Sequence, residues 1–327
     1  MPTIQIREAI RDAMRDEMRR DPNVYLMGEE VGHYNGAYKC SDGLLEEFGE
    51  RRVVDTPIVE TGFAGVGIGS AMCGLRPIIE FMTFNFSAVA FDQIINNAAK
   101  IHHMTGGQFK VPIVFRGPNA AAHMLGSTHS QAFDAIYGGI PGLKVVSVAT
   151  PYDAKGLLKS AIRDENPVVF FESELMYSNK GEVPEEEYLI PIGLADIKRS
   201  GKDVTLITWG QGVQLSLNAA ELAQSDGIDV EVIDLRTLRP MDEGAILRSV
   251  RKTHRAVVAF HGWPFASVGS HIVDLIQREA FDDLDAPVLK ECYDDIPMAY
   301  AENLENLTIP TPERVYASIR SVAYADH

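Results

Sequence analysis

The sequence predicts two successive α/β domains, each a mostly parallel, doubly wound sheet covered by helices, the second smaller than the first. Three observations carry that prediction. The chain has 327 residues, and at about 150 residues per domain that is length for two cores. Near-continuous Val, Ile and Phe runs alternate with amphipathic stretches in both halves, as strands do when crossover helices bury them on both faces. The alternation breaks once, where Ser178-Asn179-Lys180-Gly181, Pro184-Glu185-Glu186-Glu187 and Pro191 form a polar, proline-containing stretch. The expected organisation is a first domain over 1–178, a connector over 179–201 and a second domain over 202–327.

The elements follow in order. Ile6, Ala9, Ile10, Ala13, Met14 and Met18 recur at helical spacing between Arg, Asp and Glu, and Asp21-Pro22-Asn23 stops the helix. Val24-Tyr25-Leu26-Met27-Gly28 reads as a short buried strand. Further strands are expected over 52–54, 77–81, 111–115, 144–148 and 168–172, and helices over 62–73, 87–104, 131–138 and 153–163. After the connector, strands are expected over 204–208, 230–235, 256–260 and 288–292. Helices are expected there over 215–224, 242–252, 268–278 and 312–322. Pro312 suits a first helical turn, with Thr311 as its cap.

Composition removes several function classes. The hydrophobic share is 46% and the charged share 23%, so the chain is neither disordered nor a disulfide scaffold. A net charge of −16 lacks the basic footprint of a nucleic-acid or anionic-membrane binder. Cys40, Cys73 and Cys292 are sparse and far apart, which argues against a zinc site and for a reducing compartment. The start has no basic-then-apolar signal pattern, and no apolar run reaches the ~20 residues of a membrane span. A cytoplasmic location is expected.

The candidates for chemistry each have a plainer reading. Gly62-Phe63-Ala64-Gly65-Val66-Gly67-Ile68-Gly69 lacks the third glycine of a dinucleotide fingerprint, and small residues that let a helix approach its neighbour explain it better. Glu60 follows an expected strand, where open α/β sheets bind ligands. With few polar neighbours, its carboxyl is suited to share a proton with a heterocycle nitrogen; the alternative is a solvated acid at a helix start. His102 and His103 are adjacent and point different ways on a helix, so they do not share a metal. His129 lies in a small-residue loop between strand and helix, where a histidine can meet a ligand. No G-x-S-x-G elbow accompanies Ser130. Asp164-Glu165-Asn166-Pro167 ends a helix, and its carbonyls are either an ordinary cap or a site for a hard cation. Phe81-Met82-Thr83-Phe84-Asn85-Phe86 is either core or an apolar slot for a flat ring.

Several of these segments together resemble a known family. They are Asp55-Thr56-Pro57-Ile58 with Glu60, Phe81-Met82-Thr83-Phe84-Asn85-Phe86-Ser87, Phe115-Arg116-Gly117-Pro118-Asn119, His129-Ser130-Gln131 and Arg236-Thr237-Leu238-Arg239-Pro240-Met241-Asp242. In this order they resemble the beta subunits of thiamin diphosphate-dependent 2-oxo acid dehydrogenases, and most of all the pyruvate type. The resemblance runs almost end to end. It implies a transketolase-like pyrimidine-binding domain followed by a transketolase C-terminal domain. It implies oxidative decarboxylation of pyruvate and reductive acetylation of lipoyl-lysine.

The resemblance also assigns roles. Glu60 matches the glutamate that hydrogen-bonds the aminopyrimidine ring nitrogen of thiamin diphosphate, and Met82 and Phe86 match apolar residues packed about that ring. His129 matches the histidine that assists acyl transfer to lipoyl-lysine. Ile113, Ala161, Asp164 and Asn166 match positions whose carbonyls hold a structural potassium ion. No Gly-Asp-Gly motif occurs, and in this family the alpha subunit holds the diphosphate and its magnesium. The implied assembly is two alpha and two beta chains docked on a dihydrolipoyl acetyltransferase core. Two places depart from the pattern. His123-Met124-Leu125 is bulkier than the small residues expected there, and His261 stands before Gly262-Trp263-Pro264 where an acidic residue is common. The competing readings are a branched-chain or acetoin-type relative, and a subunit that only assembles or docks.

Overall fold

The structure is a computed structural model and describes residues 1–324. Residues 325–327, the end of the expected second domain, lie outside the described residues. The chain divides into two compact units, one of Met1–Asn119 with Ile136–Ile192, the other of Ala120–Ala135 with Gly193–His327.

In the first unit the strands are β1 (Thr3–Gln5), β2 (Val24–Gly28), β3 (Val53–Asp55), β4 (Arg76–Glu80), β5 (Val114–Pro118), β6 (Lys144–Ser147), β7 (Val168–Glu172) and β8 (Lys180–Glu182). Six of them lie parallel in the order β6-β7-β5-β4-β2-β3. Every residue of β2, β5 and β7 is buried, as a sheet covered on both faces requires. The chain leaves β2 toward β3 on one side and leaves β4 toward β5 on the other. That reversal falls at the carboxyl ends of β2 and β4, the place where sheets of this kind bind ligands in a crevice. Helix Ile6–Arg20 packs against helix Pro151–Arg163, and its buried Glu17 takes the Arg163 guanidinium at 2.6 Å.

The second unit holds β9 (Asp196–Arg199), β10 (Val204–Thr208), β11 (Val230–Asp234), β12 (Thr237–Arg239), β13 (Ala256–Ala259) and β14 (Leu289–Glu291). Five of these form a sheet ordered β14-β13-β10-β11-β9, parallel except for β9. Its core joins Val204, Leu206, Val230, Val232 and Val257 to Ala219, Ala220 and Ala223 of helix Gly212–Ser225 and to Val315 and Ile319 of helix Pro312–Val322. Thr311 caps that last helix, its side chain accepting the Arg314 amide.

The differences from the sequence reading have local causes. The glycine helix runs Glu60–Met72 rather than 62–73, which puts Glu60 in its first turn. The helix expected over 87–104 is broken into a 3-10 turn at Phe84–Ala88, a π-helical stretch at Gln93–Ala98 and an α turn at Ile101–Met104. There the Ala99 amide reaches back five residues to the Ile94 carbonyl, which widens the helix. Strand β5 starts at Val114 rather than 111, where its ladders to β4 and β7 begin. The helix expected from 131 starts at Asp134, because the Gln131 carbonyl accepts the Ala120 amide instead. The connector is not all coil. β8 pairs antiparallel with β1, and β9 adds an antiparallel edge to the second sheet. Both pairings depend on partners remote in sequence. Helix Glu302–Thr308 was unexpected.

Candidate active-site crevice

The crevice of the first unit gathers the carboxylates. Gly28 ends β2 in register with Glu80 at the end of β4. A Cβ at Gly28 would lie 2.5 Å from the Glu80 carbonyl oxygen, so only glycine lets the strands close here. Glu29 follows at once, and Glu60 opens its helix. Glu29, Glu60 and Glu80 are all buried, a costly grouping unless a partner or a proton compensates it. The Glu29 Oε1 and Thr56 Oγ1 atoms are buried without a hydrogen-bond partner among the described residues. Both are unsatisfied polar atoms that a hydrogen-bond partner at this place would compensate.

The glycine run does structural work in this place. A Cβ at Gly67 would lie 2.7 Å from the Ile79 side chain, so the glycine lets helix Glu60–Met72 lie against β4. The close-approach reading fits Gly67, whereas a Cβ at Gly69 would meet nothing within 4 Å. The aromatic segment divides between its two readings. Phe81 and Phe84 are fully buried, with Phe84 meeting Tyr137 and Phe171 edge-on at 5.5 and 4.9 Å. Met82, Thr83 and Phe86 stay half-exposed, so Met82 and Phe86 are the apolar side chains of the segment left open to a ligand. The Thr61 hydroxyl donates to the Val89 carbonyl, tying the first turn that carries Glu60 to the segment that carries Met82 and Phe86.

The residues of the expected cation site come together at another edge of this unit. The carbonyl of Ala161 accepts the Asp164 amide at the helix end, and that of Ile113 accepts Val168 N–H. Asp164 is tied to Asn166 through its Oδ1 and to Lys144 through its Oδ2. Burial pushes the Asp164 carboxyl up, but Lys144 and Asn166 outweigh it and hold it below its ordinary range. The Arg76 guanidinium donates to the Ile162 and Asp164 carbonyls at 3.2 Å. This oxygen-rich helix end thus draws its positive charge from Arg76 and Lys144. Among the described residues no group of three or more His, Cys, Asp or Glu side chains is placed for a metal.

His129 belongs to the second unit, on the loop Ala120–Ala135. It ends a 3-10 turn, Ser127–His129, with its ring half-exposed and the Thr128 hydroxyl 3.1 Å from Nδ1. Both ends of the loop are pinned. Gln211 Nε2 donates to the Ala121 carbonyl, and Trp209 Nε1 donates to Asp134, each at 3.1 Å. Ser127, Thr128 and Gln131 line an open groove of about 420 Å³ with Trp263 and Ile296. His102 and His103 are exposed and apart from all of this, His102 Nδ1 bonding to the Phe109 carbonyl.

The two-part fold agrees with the family models that match. The transketolase pyrimidine-binding domain covers residues 2–180, and the transketolase C-terminal domain covers 193–315. A solved structure of a split-gene transketolase, described as an inactive beta4 tetramer, aligns with a TM-score of 0.81 over 99% of both chains at 22% identity, and so supports the fold. Closer relatives decide the family. The chain is 54% identical over 325 residues to the pyruvate dehydrogenase E1 component subunit beta of Rhizobium meliloti, spanning 99% of this chain and 71% of that one. It is 52% identical to the protein of the same description from Rickettsia felis, over 98% of both. The mitochondrial relative of Caenorhabditis elegans is 50% identical over 97% of this chain. This chain belongs to the pyruvate dehydrogenase E1 beta-subunit family.

Within this E1 beta fold, Glu29 is the crevice residue that sequence reasoning missed. The available signal was an acid directly after a fully buried strand. Its carboxyl is pushed up to about 7 by burial and by the nearby Glu60 and Glu80 charges. The folded state therefore holds this proton more tightly than the unfolded chain does. That contribution is complete below the ordinary glutamate range near 4.5 and is lost as pH rises through about 7. In thermal melts of the isolated chain, Glu29→Gln should match wild type near the low end of that window and become the more stable of the two above it. A difference independent of pH would remove Glu29 as the titrating group. Among the described residues no helix is long and apolar enough to cross a membrane.

Proposed function

We propose that this chain joins an alpha subunit to form a thiamin diphosphate-dependent pyruvate dehydrogenase component, with two alpha and two beta chains. The assembled component decarboxylates pyruvate oxidatively and acetylates lipoyl-lysine on a dihydrolipoyl acetyltransferase core in the cytoplasm. The observation that carries this reading is the buried Glu60 carboxylate at the crevice, in the helix turn tied to the segment bearing half-exposed Met82 and Phe86. An acid beside an apolar slot suits a flat, nitrogen-bearing ring. The orphaned Glu29 and Thr56 oxygens support a ligand or partner chain at this same crevice.

Thiamin diphosphate, when bound, supplies the carbanion chemistry. Glu60 holds and returns a proton at the aminopyrimidine ring nitrogen. Met82 and Phe86 fix the plane of that ring and exclude water from it. His129 moves a proton during acyl transfer to the lipoyl group. Ile113, Ala161, Asp164 and Asn166 would hold a potassium ion, which would stiffen the helix end. The alpha chain would hold the diphosphate and its magnesium, in keeping with the lack of a Gly-Asp-Gly motif here.

Two measurements test the reading. By calorimetry with magnesium present, the isolated chain should bind thiamin diphosphate weakly or not at all, and tight one-to-one binding would refute the split site. Co-expressed with its alpha partner, it should reduce an artificial electron acceptor in a pyruvate-dependent way, and only when both chains are present. A complex active on branched 2-oxo acids or acetoin but not on pyruvate would change the substrate. A stable complex inactive on all of them would leave a docking subunit.

A further inference from the structure

The two departures from the family pattern, His261 and His123-Met124-Leu125, meet the same piece of the second unit. The Ala121 N–H donates to the Tyr293 hydroxyl oxygen at 3.0 Å. The same hydroxyl lies 3.4 Å from His261 Nδ1, and the His261 tautomer sets which of the two donates. The His261 and Tyr293 rings meet edge-on at 5.5 Å, and Trp263 meets Tyr293 edge-on at 5.8 Å from another side. Ala121, Tyr293 and Met298 form a small buried cluster of their own. Further along the loop, Glu305 Oε2 accepts the Met124 amide at 3.0 Å, and Ser127 Oγ donates to the Met298 carbonyl at 2.7 Å. A Cβ at Gly126 would fall 2.5 Å from the Tyr300 ring. The segment 293–305 thus grips the loop at residues 121, 124, 126 and 127.

We propose that His261, acting through Tyr293, is a positioning residue for His129. The pair anchors the root of the Ala120–Ala135 loop and so fixes how the loop presents the His129 imidazole. This rests on the role proposed above for His129. Desolvation lowers the His261 imidazole to about 4, so the ring is neutral and its Nδ1 shares one hydrogen bond with the Tyr293 hydroxyl. Burial raises the Tyr293 hydroxyl well above its ordinary value, so it keeps its proton. An acidic residue at 261 could accept the same bond but would bring a charge into this apolar cluster, and the neutral imidazole avoids that cost. The bulk of His123-Met124-Leu125 is accommodated because all three side chains are exposed.

The test uses the full chain and the reconstituted enzyme together. Tyr293→Phe keeps the ring packing and removes both hydrogen bonds. His261→Leu removes the Nδ1 partner alone, and His261→Asn places an amide oxygen near the Nδ1 position. By hydrogen exchange on the isolated chain, peptides spanning 120–129 should exchange at least about 5-fold faster in Tyr293→Phe and His261→Leu, as expected for loss of about one hydrogen bond of 1 kcal/mol. His261→Asn should restore most of the protection. In the reconstituted enzyme, Tyr293→Phe and His261→Leu should lower kcat by about 10-fold or more, because a displaced group costs rate steeply. KM for pyruvate should stay nearly constant, and His261→Asn should recover most of kcat. Unchanged exchange in Tyr293→Phe overturns the anchor. Faster exchange with unchanged kcat overturns the positioning role. A wild-type complex inactive on every 2-oxo acid overturns the functional reading instead, and the exchange result still decides the anchor.

Discussion

Glu60→Gln abolishes most turnover of the reconstituted enzyme while leaving the chain folded. The expected loss is about 10²–10⁴-fold in kcat, the usual contribution of a positioned acid or base. An amide occupies the same volume at the start of helix Glu60–Met72 but cannot exchange a proton with a ring nitrogen. Stability should change little or improve, since the substitution removes one charge from the buried group of Glu29, Glu60 and Glu80. Thermal melts and circular dichroism check the fold, and the pyruvate-dependent acceptor assay checks the rate. A variant with near-normal turnover would take Glu60 out of the mechanism.

Arg116→Leu should be the most destabilising single change in the first unit. Arg116 is 1% exposed on β5, between Glu80 of β4 and Glu172 of β7. Its Nε and Nη2 reach both Glu172 oxygens at 2.6 Å, its Nη1 pairs with Glu80, and the Tyr177 hydroxyl donates to Glu172 at 2.7 Å. Burial alone would lower the guanidinium, but Glu172 and Glu80 raise it well above its ordinary value, so it stays charged. Removing it leaves buried carboxylates without a counter-charge, a loss of about 3–5 kcal/mol from a total stability of about 5–15 kcal/mol. Urea midpoints of soluble protein are the measurement. Arg116→Lys should lose less than Arg116→Leu, because one ammonium keeps the charge without bridging both acids. The triple change of Arg116, Glu80 and Glu172 to Leu should recover much of the loss, since no buried charge remains. A mild midpoint shift in Arg116→Leu would mean that the acids take up protons at little cost. The same triad bears on the crevice, because the Glu80 charge that Arg116 balances also raises the Glu29 carboxyl.

What was legible follows from range. Helix Ile6–Arg20 and strand Val24–Gly28 lie within a residue or two of the sequence reading, because one apolar face or one apolar run is written locally. The break at 87–104 was illegible, since its side-chain pattern is helical and only the backbone path past the sheet widens it. The aromatic segment was ambiguous for a related reason. Phe84 and Phe86 are the same residue type two apart, and only packing sends one to the core and leaves the other open. Glu29 went unnoticed because a single acid after a strand has no period, and its burial comes from neighbours far along the chain.

By itself the sequence determined two α/β units and pointed to Glu60, Met82, Phe86 and His129 as candidates, because periodicity and motif order are properties of the chain. Only the tertiary structure decided that Glu29 joins Glu60 at the carboxyl ends of β2 and β4, and that the His129 loop packs with the second unit and is anchored through Tyr293. Those facts depend on strand order and on contacts across more than a hundred residues. Burial and hydrogen-bond partners at such range are set by the whole fold and are written in no local stretch of it.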